Sequence, residues 1–571
     1  MSLKSRASGL VVLAVLVFGA LANRAALRGP LVLDDFAQRA MIEGKLTPAR
    51  GPFNLYDFIA NDNRAALLDR GAIPWWSDPH LQIRFLRPLP SVFIWLDHRL
   101  FDYGALGPHL LSLIWWMAAV LAAHAVYRTA IGRSPALVAT ALFAFSPTLT
   151  IPMVWLANRD ALITLTFGAS ALALYIHWRR QRARFGWLAS AAAFCATVLT
   201  GEYALCLGGY LVAFEIGERG ESFRRRVTGA LPALIPFMLY VLAHLALRYG
   251  SVASGFYRDP ISDPGGYVRA LPRSLSILLA SAWLGVNETS SWLGSPPSIL
   301  ALILAGAAVV IATVTKMRRT TQLNGDASGG AWLACGSVLA LLPLGATEPT
   351  RRILAVAALG VSGALGLLIE RGIRRIRPLR VSSLADIAAL LLIVYIHVVA
   401  ALIEARRFSF EAVKDENSSL ARLSAVRRSS HPSDTTLMLR ANWPTTLLST
   451  PFVLREDAPR RWRVLSQTFE QLAAIRTSDR SLDVAVETGA VFTFGPSDLF
   501  RTNPFKVGDV MEIPGLRATV IRADEEGRPK TIRYEFDQNL DGPGVAWMSE
   551  GRAGFADVRP PPVGFGVRLA P

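Results

Sequence analysis

Long apolar runs alternate along this chain with short clusters of positive charge. Runs of about 17 to 21 residues fall at 108–127, 135–153, 160–177, 229–248, 297–315, 331–347, 352–370 and 384–404, each long enough for a helix across a hydrocarbon core of roughly 30 Å. An earlier run, 8–27, follows Lys4 and Arg6. No small-residue cleavage pattern succeeds it, so it is expected to remain as an uncleaved first transmembrane helix. The stretch 186–217 would measure roughly 48 Å as one helix, which is too long. Its middle reads "TGEY", and its flanks, "WRRQRAR" and "ERGESFRRR", are both basic. The positive-inside rule places both flanks in the cytoplasm, which predicts two short helices with Glu202 at an outward turn.

The stretch 271–287, "LPRSLSILLASAWLGVN", carries its serines and Arg273 on one helical face. It is expected to lie on, or dip into, the outer surface, because counting it as a span would put "KMRRT" outside. "YRTAIGR", "WRRQRAR", "ERGESFRRR", "KMRRTTQ" and "ERGIRRIRPLR" then all face the cytoplasm. The expectation is about eleven transmembrane helices, N-terminus in and C-terminus out. Beyond about residue 404 the pattern changes to strand-period alternation in "TLMLRA", "LDVAVE", "AVFTF", "DVMEI", "RATVIR" and "TIRYEF", separated by Gly, Pro and Asp turns. The fold class is therefore a polytopic α-helical membrane protein plus a C-terminal, mostly β periplasmic domain. Residues 1–404 form the membrane domain, with outward loops at 28–107 and 250–296, and residues 405–571 the β-rich domain. No repeat of about 34 residues signals a tetratricopeptide solenoid.

Composition agrees: 52% of residues are hydrophobic while the formal net charge is +17, a pairing uncommon in soluble domains. The positive residues lie between apolar runs and line no single face, which argues against a nucleic-acid partner. Cys195, Cys206 and Cys335 sit inside apolar runs, with no disulfide framework and no metal-ligand spacing. His98, His109 and His124 are spaced irregularly, as core or interface histidines are.

With that topology the outward side collects Asp34 and Asp35 in "LDDFAQ", Arg84 and Arg87 in "QIRFLRPLPSV", Arg159 and Asp160 in "WLANRDALI", Glu202, and Glu348, Arg351 and Arg352 in "ATEPTRRIL". Each has a plain structural reading. An Asp caps a helix, neighbouring Arg159 and Asp160 form a local ion pair, and outward arginines reach lipid headgroups. Together they fit one reaction. Outside the cytoplasm, glycan synthesis draws on sugars carried by polyprenyl phosphate; a carboxylate must take the acceptor's hydroxyl proton, and cations must steady the departing phosphate.

The ordered segments "LDDFAQ", "RFLRPLPSVFIWLDHRLFDYGALGPHLLSLIWW", "FSPTLTIPMVWLANRDALITLTFGASALALY", "LTGEYALCLGGYLVAFEI" and "TRRILAVAALG" resemble the GT-C superfamily of polyprenol-phosphate-sugar glycosyltransferases over roughly residues 1–405. The nearest likeness is to the protein O-mannosyltransferase branch and its tetratricopeptide-bearing transmembrane relatives. The resemblance implies an inverting, mannosyltransferase-like enzyme of the bacterial inner membrane with a periplasmic active site. It would transfer sugar from a polyprenyl-phosphate donor to a protein or cell-envelope glycan hydroxyl. Asp34 matches the base; Asp35 would position it or bind a divalent cation, the only cofactor in prospect. Arg352, helped by Arg351, matches the lipid-phosphate site. Arg87, Arg159, Asp160 and Glu202 would complete the cavity. The sequence departs from the pattern at Arg351, where an acid is expected, at Gly201, where a lysine is expected, and in its β-rich C-terminal domain. Two other classes fit parts of the pattern: a lipid-linked glycan flippase, and a membrane anchor for a periplasmic binding module.

Overall fold

The computed structural model describes residues 3–571 apart from 47, 102–103, 182–183, 218–220, 287–295, 325–328, 376–383, 401, 404–405, 408–409, 411–413, 415–434, 443–460, 469, 493–498, 552–553 and 570–571. Every apolar run identified above coincides with helix. The run 108–127 lies in Leu106–Ile131 and 229–248 in Phe223–Ala246. The stretch 186–217 divides into Gly186–Val198 and Leu207–Gly217 around a 3-10 turn, Glu202–Cys206.

By length and apolar composition alone, fewer than the expected eleven crossings are met among the described residues. Among the described residues four helices are long and apolar enough to cross a membrane: Leu106–Ile131, Leu156–Gln181, Phe223–Ala246 and Ala355–Arg374. Arg133–Ala144 and Pro147–Val154, bent by 53°, supply a fifth if taken together. Pro147, which opens the second segment, lacks a backbone donor and accounts for the break. On Phe223–Ala246, Leu231, Leu234, Met238, Leu239 and Leu242 are exposed, an apolar face suited to lipid and unsuited to water.

The surface helix is longer than expected, Pro264–Leu284, and Asp263 caps it by accepting from Gly266 N at 2.8 Å. Residue 287 lies outside the described residues. Ser274 and Ser276 are buried, so the serines face protein; Arg273 reaches Glu348 at 3.2 Å.

A three-stranded antiparallel sheet ties the loops at 28–107 and 250–296 together: Asp57–Ile59 pairs with Gln82–Arg84, which pairs with Gly250–Val252. Arg84 reinforces it with two hydrogen bonds to the Asp57 carboxylate, at 2.8 and 2.9 Å.

The C-terminal region is strand-rich. One sheet runs Gly566–Leu569, Leu472–Ser478, Ser481–Val486, Pro529–Phe536, Leu516–Ala523, Val510–Ile513, antiparallel throughout. A second runs Gly554–Asp557, Val545–Gly551, Thr435–Met438, Arg461–Val464, with its last two pairings parallel. In "AVFTF" the described residues 490–492 form no strand, and 493–494 lie outside the described residues. Ala490, Val491 and Phe492 are all buried, and Phe492 lies against Trp75 and Trp76.

Those tryptophans belong to the loop 28–107, yet they sit in the core of the C-terminal sheets beside Tyr534 and Trp547. Trp75 Nε1 donates to Val464 O at 2.9 Å. Gly71, at φ 80°, makes the approach possible, because a Cβ there would stand 1.8 Å from Trp462 O. In return Phe500 is fully buried among Ile59, Ile83 and Leu81 of the loop. Loop and β region thus share cores.

Candidate active site

Asp34 and Asp35 open the helix Asp34–Ile42 but serve differently. Asp35 is buried; its Oδ1 accepts from Ala157 N at 2.7 Å and its Oδ2 from Val32 N at 2.9 Å. Both oxygens face backbone donors, so this side chain pins the loop, and it does not offer itself to a cation. Among the described residues no group of three His, Cys, Asp or Glu stands where it would hold a metal. Burial pushes the Asp35 carboxyl up to about 7, against the pull of those N–H groups.

Leu33, just before the pair, has φ 41° and ψ −106°. A leucine pays on the order of 1–3 kcal/mol for such a conformation, and it persists only where its surroundings enforce it. The Asp35 bonds on either side of the kink do so. The result turns Asp34 into a cavity of about 210 Å³, and among the described residues its carboxylate accepts no hydrogen bond. Burial raises its pKa to about 6, while the charges of Arg352 and Arg87 hold it back. Such a group is ionised at neutral pH and close enough to it to act as a base.

The cavity's other charges are arranged unequally. Arg87 is neutralised, with Asp160 at 2.8 Å and Glu202 at 2.9 Å; its guanidinium also lies over Phe85 and Tyr56. Glu202 further accepts from Leu86 N at 2.9 Å, which locks the start of the helix Pro88–Phe101 to the turn. Gly201 has φ 112°, and a Cβ on it would come within 2.4 Å of Arg87 Cγ. The absence of a lysine side chain there has a physical reason: the Arg87 stem already fills that space.

Arg352 is the contrast. It rests over Trp155 at 5.8 Å and Phe256 at 5.6 Å, with Tyr257 on the same cavity wall. Among the described residues no carboxylate lies within ion-pair distance of it, so its charge remains available to an anion in the cavity.

The structure therefore brings Asp34, Arg87, Glu202 and Arg352 to one cavity, with Asp160 directly behind Arg87. It does not bring the other three candidates there. Asp35 is the loop pin already described. Arg159 is buried against Asp97 and donates to Pro108 O at 3.1 Å. Arg351 donates to Gly285 O at 3.1 Å and lines a different cavity, beside Ser146 and His397. Sequence reasoning missed Tyr257, Trp155, His244 and Asp259, which also line the first cavity. Only "FYRDP", charged and aromatic together in an outward loop, offered a signal for two of them.

No family model matches the chain, and no curated protein matches it. Among solved structures it is similar to the archaeal oligosaccharyltransferase AglB of Archaeoglobus fulgidus, in complex with an inhibitory peptide and a dolichol-phosphate. That match has a TM-score of 0.42 at 14% identity, over 79% of this chain and 64% of that one. The chain thus spans less than two-thirds of the oligosaccharyltransferase's length. It is also similar to ArnT from Cupriavidus metallidurans bound to undecaprenyl phosphate, with a TM-score of 0.43 at 12% identity, over 81% of this chain and 92% of that one.

Proposed function

We propose that this chain is a GT-C-type glycosyltransferase of the bacterial inner membrane, with an active site open to the periplasm. It takes a sugar from a polyprenyl-phosphate donor and transfers it to a hydroxyl of a protein or cell-envelope glycan. The observation that carries this reading is the pairing, in one cavity, of an unbonded carboxylate at Asp34 with an arginine, Arg352, that has no carboxylate partner among the described residues.

In the reaction Asp34 accepts the proton of the acceptor hydroxyl as its oxygen attacks the anomeric carbon. The bond from that carbon to the phosphate oxygen breaks, and Arg352 stabilises the charge left on the departing lipid phosphate. A single displacement of this kind inverts the anomeric centre, as two-sided carboxylate and leaving-group assistance does in other sugar chemistry. The rings of Trp155 and Phe256 hold the guanidinium in place. Arg87, Asp160 and Glu202 form a clamp that ties the loop 28–107 to the start of the helix Asp160–Gln181 and to the Glu202 turn behind the reacting groups. In this reading about eleven helices cross the membrane, the shorter ones in pairs enclosed by protein.

The test is transfer from a polyprenyl-phosphate sugar by the full chain reconstituted in liposomes. Asp34→Asn and Arg352→Ala are each expected to lower turnover at least about a hundredfold. Near-normal turnover in correctly inserted variants overturns the assignment.

A further inference from the structure

One charged group on the cavity wall has no part in that scheme. Asp259 lines the cavity together with Gly250 and Ser251. Its Oδ1 accepts the N–H of Ile261 at 2.8 Å, which fixes the carboxylate. Its Oδ2 rests on Gly250, where a Cβ would stand 2.1 Å from it and 3.5 Å from the His244 ring. Neighbouring nitrogen groups turn elsewhere: Arg258 faces Glu348 at 3.7 Å, and His244 Nε2 faces Glu202 at 3.8 Å.

The division of charge then matters. Arg87 is satisfied by Asp160 and Glu202. In the proposed reaction Arg352 takes the phosphate and Asp34 the acceptor hydroxyl. Asp259 is left as a fixed acceptor facing the same space, and Glu202 adds a second negative group beside His244. We propose that Asp259, with His244 next to it, is the subsite for the ring substituents of the transferred sugar. It accepts hydrogen bonds from hydroxyl or amino groups and selects against a sugar that carries a carboxylate. A hydroxyl bound to an ionised acceptor makes a strong, charge-assisted bond. A sugar acid placed there meets like charge and leaves Asp259 unpaired, which is discrimination by repulsion. The inference rests on the transferase reading, and it adds the sugar class to it.

The test measures binding by the full chain in nanodiscs to three lipids: polyprenyl phosphate, the same lipid bearing a neutral hexose, and the same lipid bearing a hexuronic acid. Wild-type protein is expected to bind the hexose lipid about tenfold more tightly than the hexuronic acid lipid. Asp259→Asn, which keeps an oxygen for Ile261 N, is expected to weaken hexose-lipid binding about tenfold and leave bare polyprenyl phosphate within about twofold. Equal weakening of all three lipids by Asp259→Asn, or of none, overturns the subsite. So does wild-type protein that binds the hexuronic acid lipid as tightly as the hexose lipid. In each of these results wild-type protein still binds polyprenyl phosphate. Wild-type protein that binds no polyprenyl phosphate overturns the proposed function, and the subsite with it.

Discussion

If Asp34 is the base, the pH dependence of transfer must carry its signature. Its carboxyl is pushed up to about 6, first by burial, with the charges of Arg352 and Arg87 opposing. Only the ionised form accepts a proton, so the active fraction is about nine-tenths at pH 7 and about one-tenth at pH 5. The prediction is a fall in kcat/KM of about tenfold between those values, approaching a slope of one below pH 6. Asp34→Asn removes the limb altogether, leaving a residual rate about 10²–10⁴-fold lower and flat across the same window. Arg352→Gln shifts the limb to higher pH, because it removes a positive charge that favours the carboxylate. The assay is initial-rate transfer in liposomes under limiting donor, since kcat/KM reports the free enzyme. A flat wild-type profile from pH 5 to 7, or an Asp34→Asn variant that keeps the limb, refutes the reasoning.

Three other outcomes follow from the same geometry. Asp35 has its pKa raised to about 7 from the ordinary 3.8, so folding favours its protonated form; that contribution is full below about pH 4 and lost as pH rises through 7. Thermal unfolding midpoints of the wild type should therefore fall between pH 5 and 8, and those of Asp35→Asn should fall less. Gly201→Ala puts a Cβ 2.4 Å from Arg87 Cγ at φ 112°, which displaces Arg87 from Asp160 and Glu202. Transfer should drop more than about tenfold, and Gly201→Ala protein of wild-type activity would contradict the clamp. Trp76→Ala empties a fully buried site in the shared core and should cost about 3–5 kcal/mol. Limited proteolysis should then cut both the first outward loop and the C-terminal sheets faster; faster cleavage of only one would contradict the shared core.

Local pattern carried the elements well. Basic flanks around "TGEY" located the turn at Glu202, and period-2 alternation located strands at 482–486, 510–513 and 532–536. Helix length was less legible, because a hydropathy run does not reveal whether a proline such as Pro147 will break its helix. Adjacent residues were the other difficulty. Arg351 and Arg352 share a 3-10 turn, Arg351–Ile353, in which successive side chains point about 120° apart. One faces the cavity of Asp34 and the other does not. Asp34 and Asp35 diverge in the same way at the start of a helix. The tryptophan pair in the C-terminal core reflects contacts between positions nearly 400 residues apart, such as Trp75 with Val464. No periodicity encodes such a contact.

The most direct measurement of the central claim is the affinity of the full chain for polyprenyl phosphate, compared between Arg352→Ala and Arg351→Ala. The two residues are neighbours with equal charge that face different cavities. Loss of affinity of at least about tenfold in Arg352→Ala, with Arg351→Ala within about threefold of wild type, is the predicted result. Unchanged binding in Arg352→Ala, or equal losses in both variants, contradicts it.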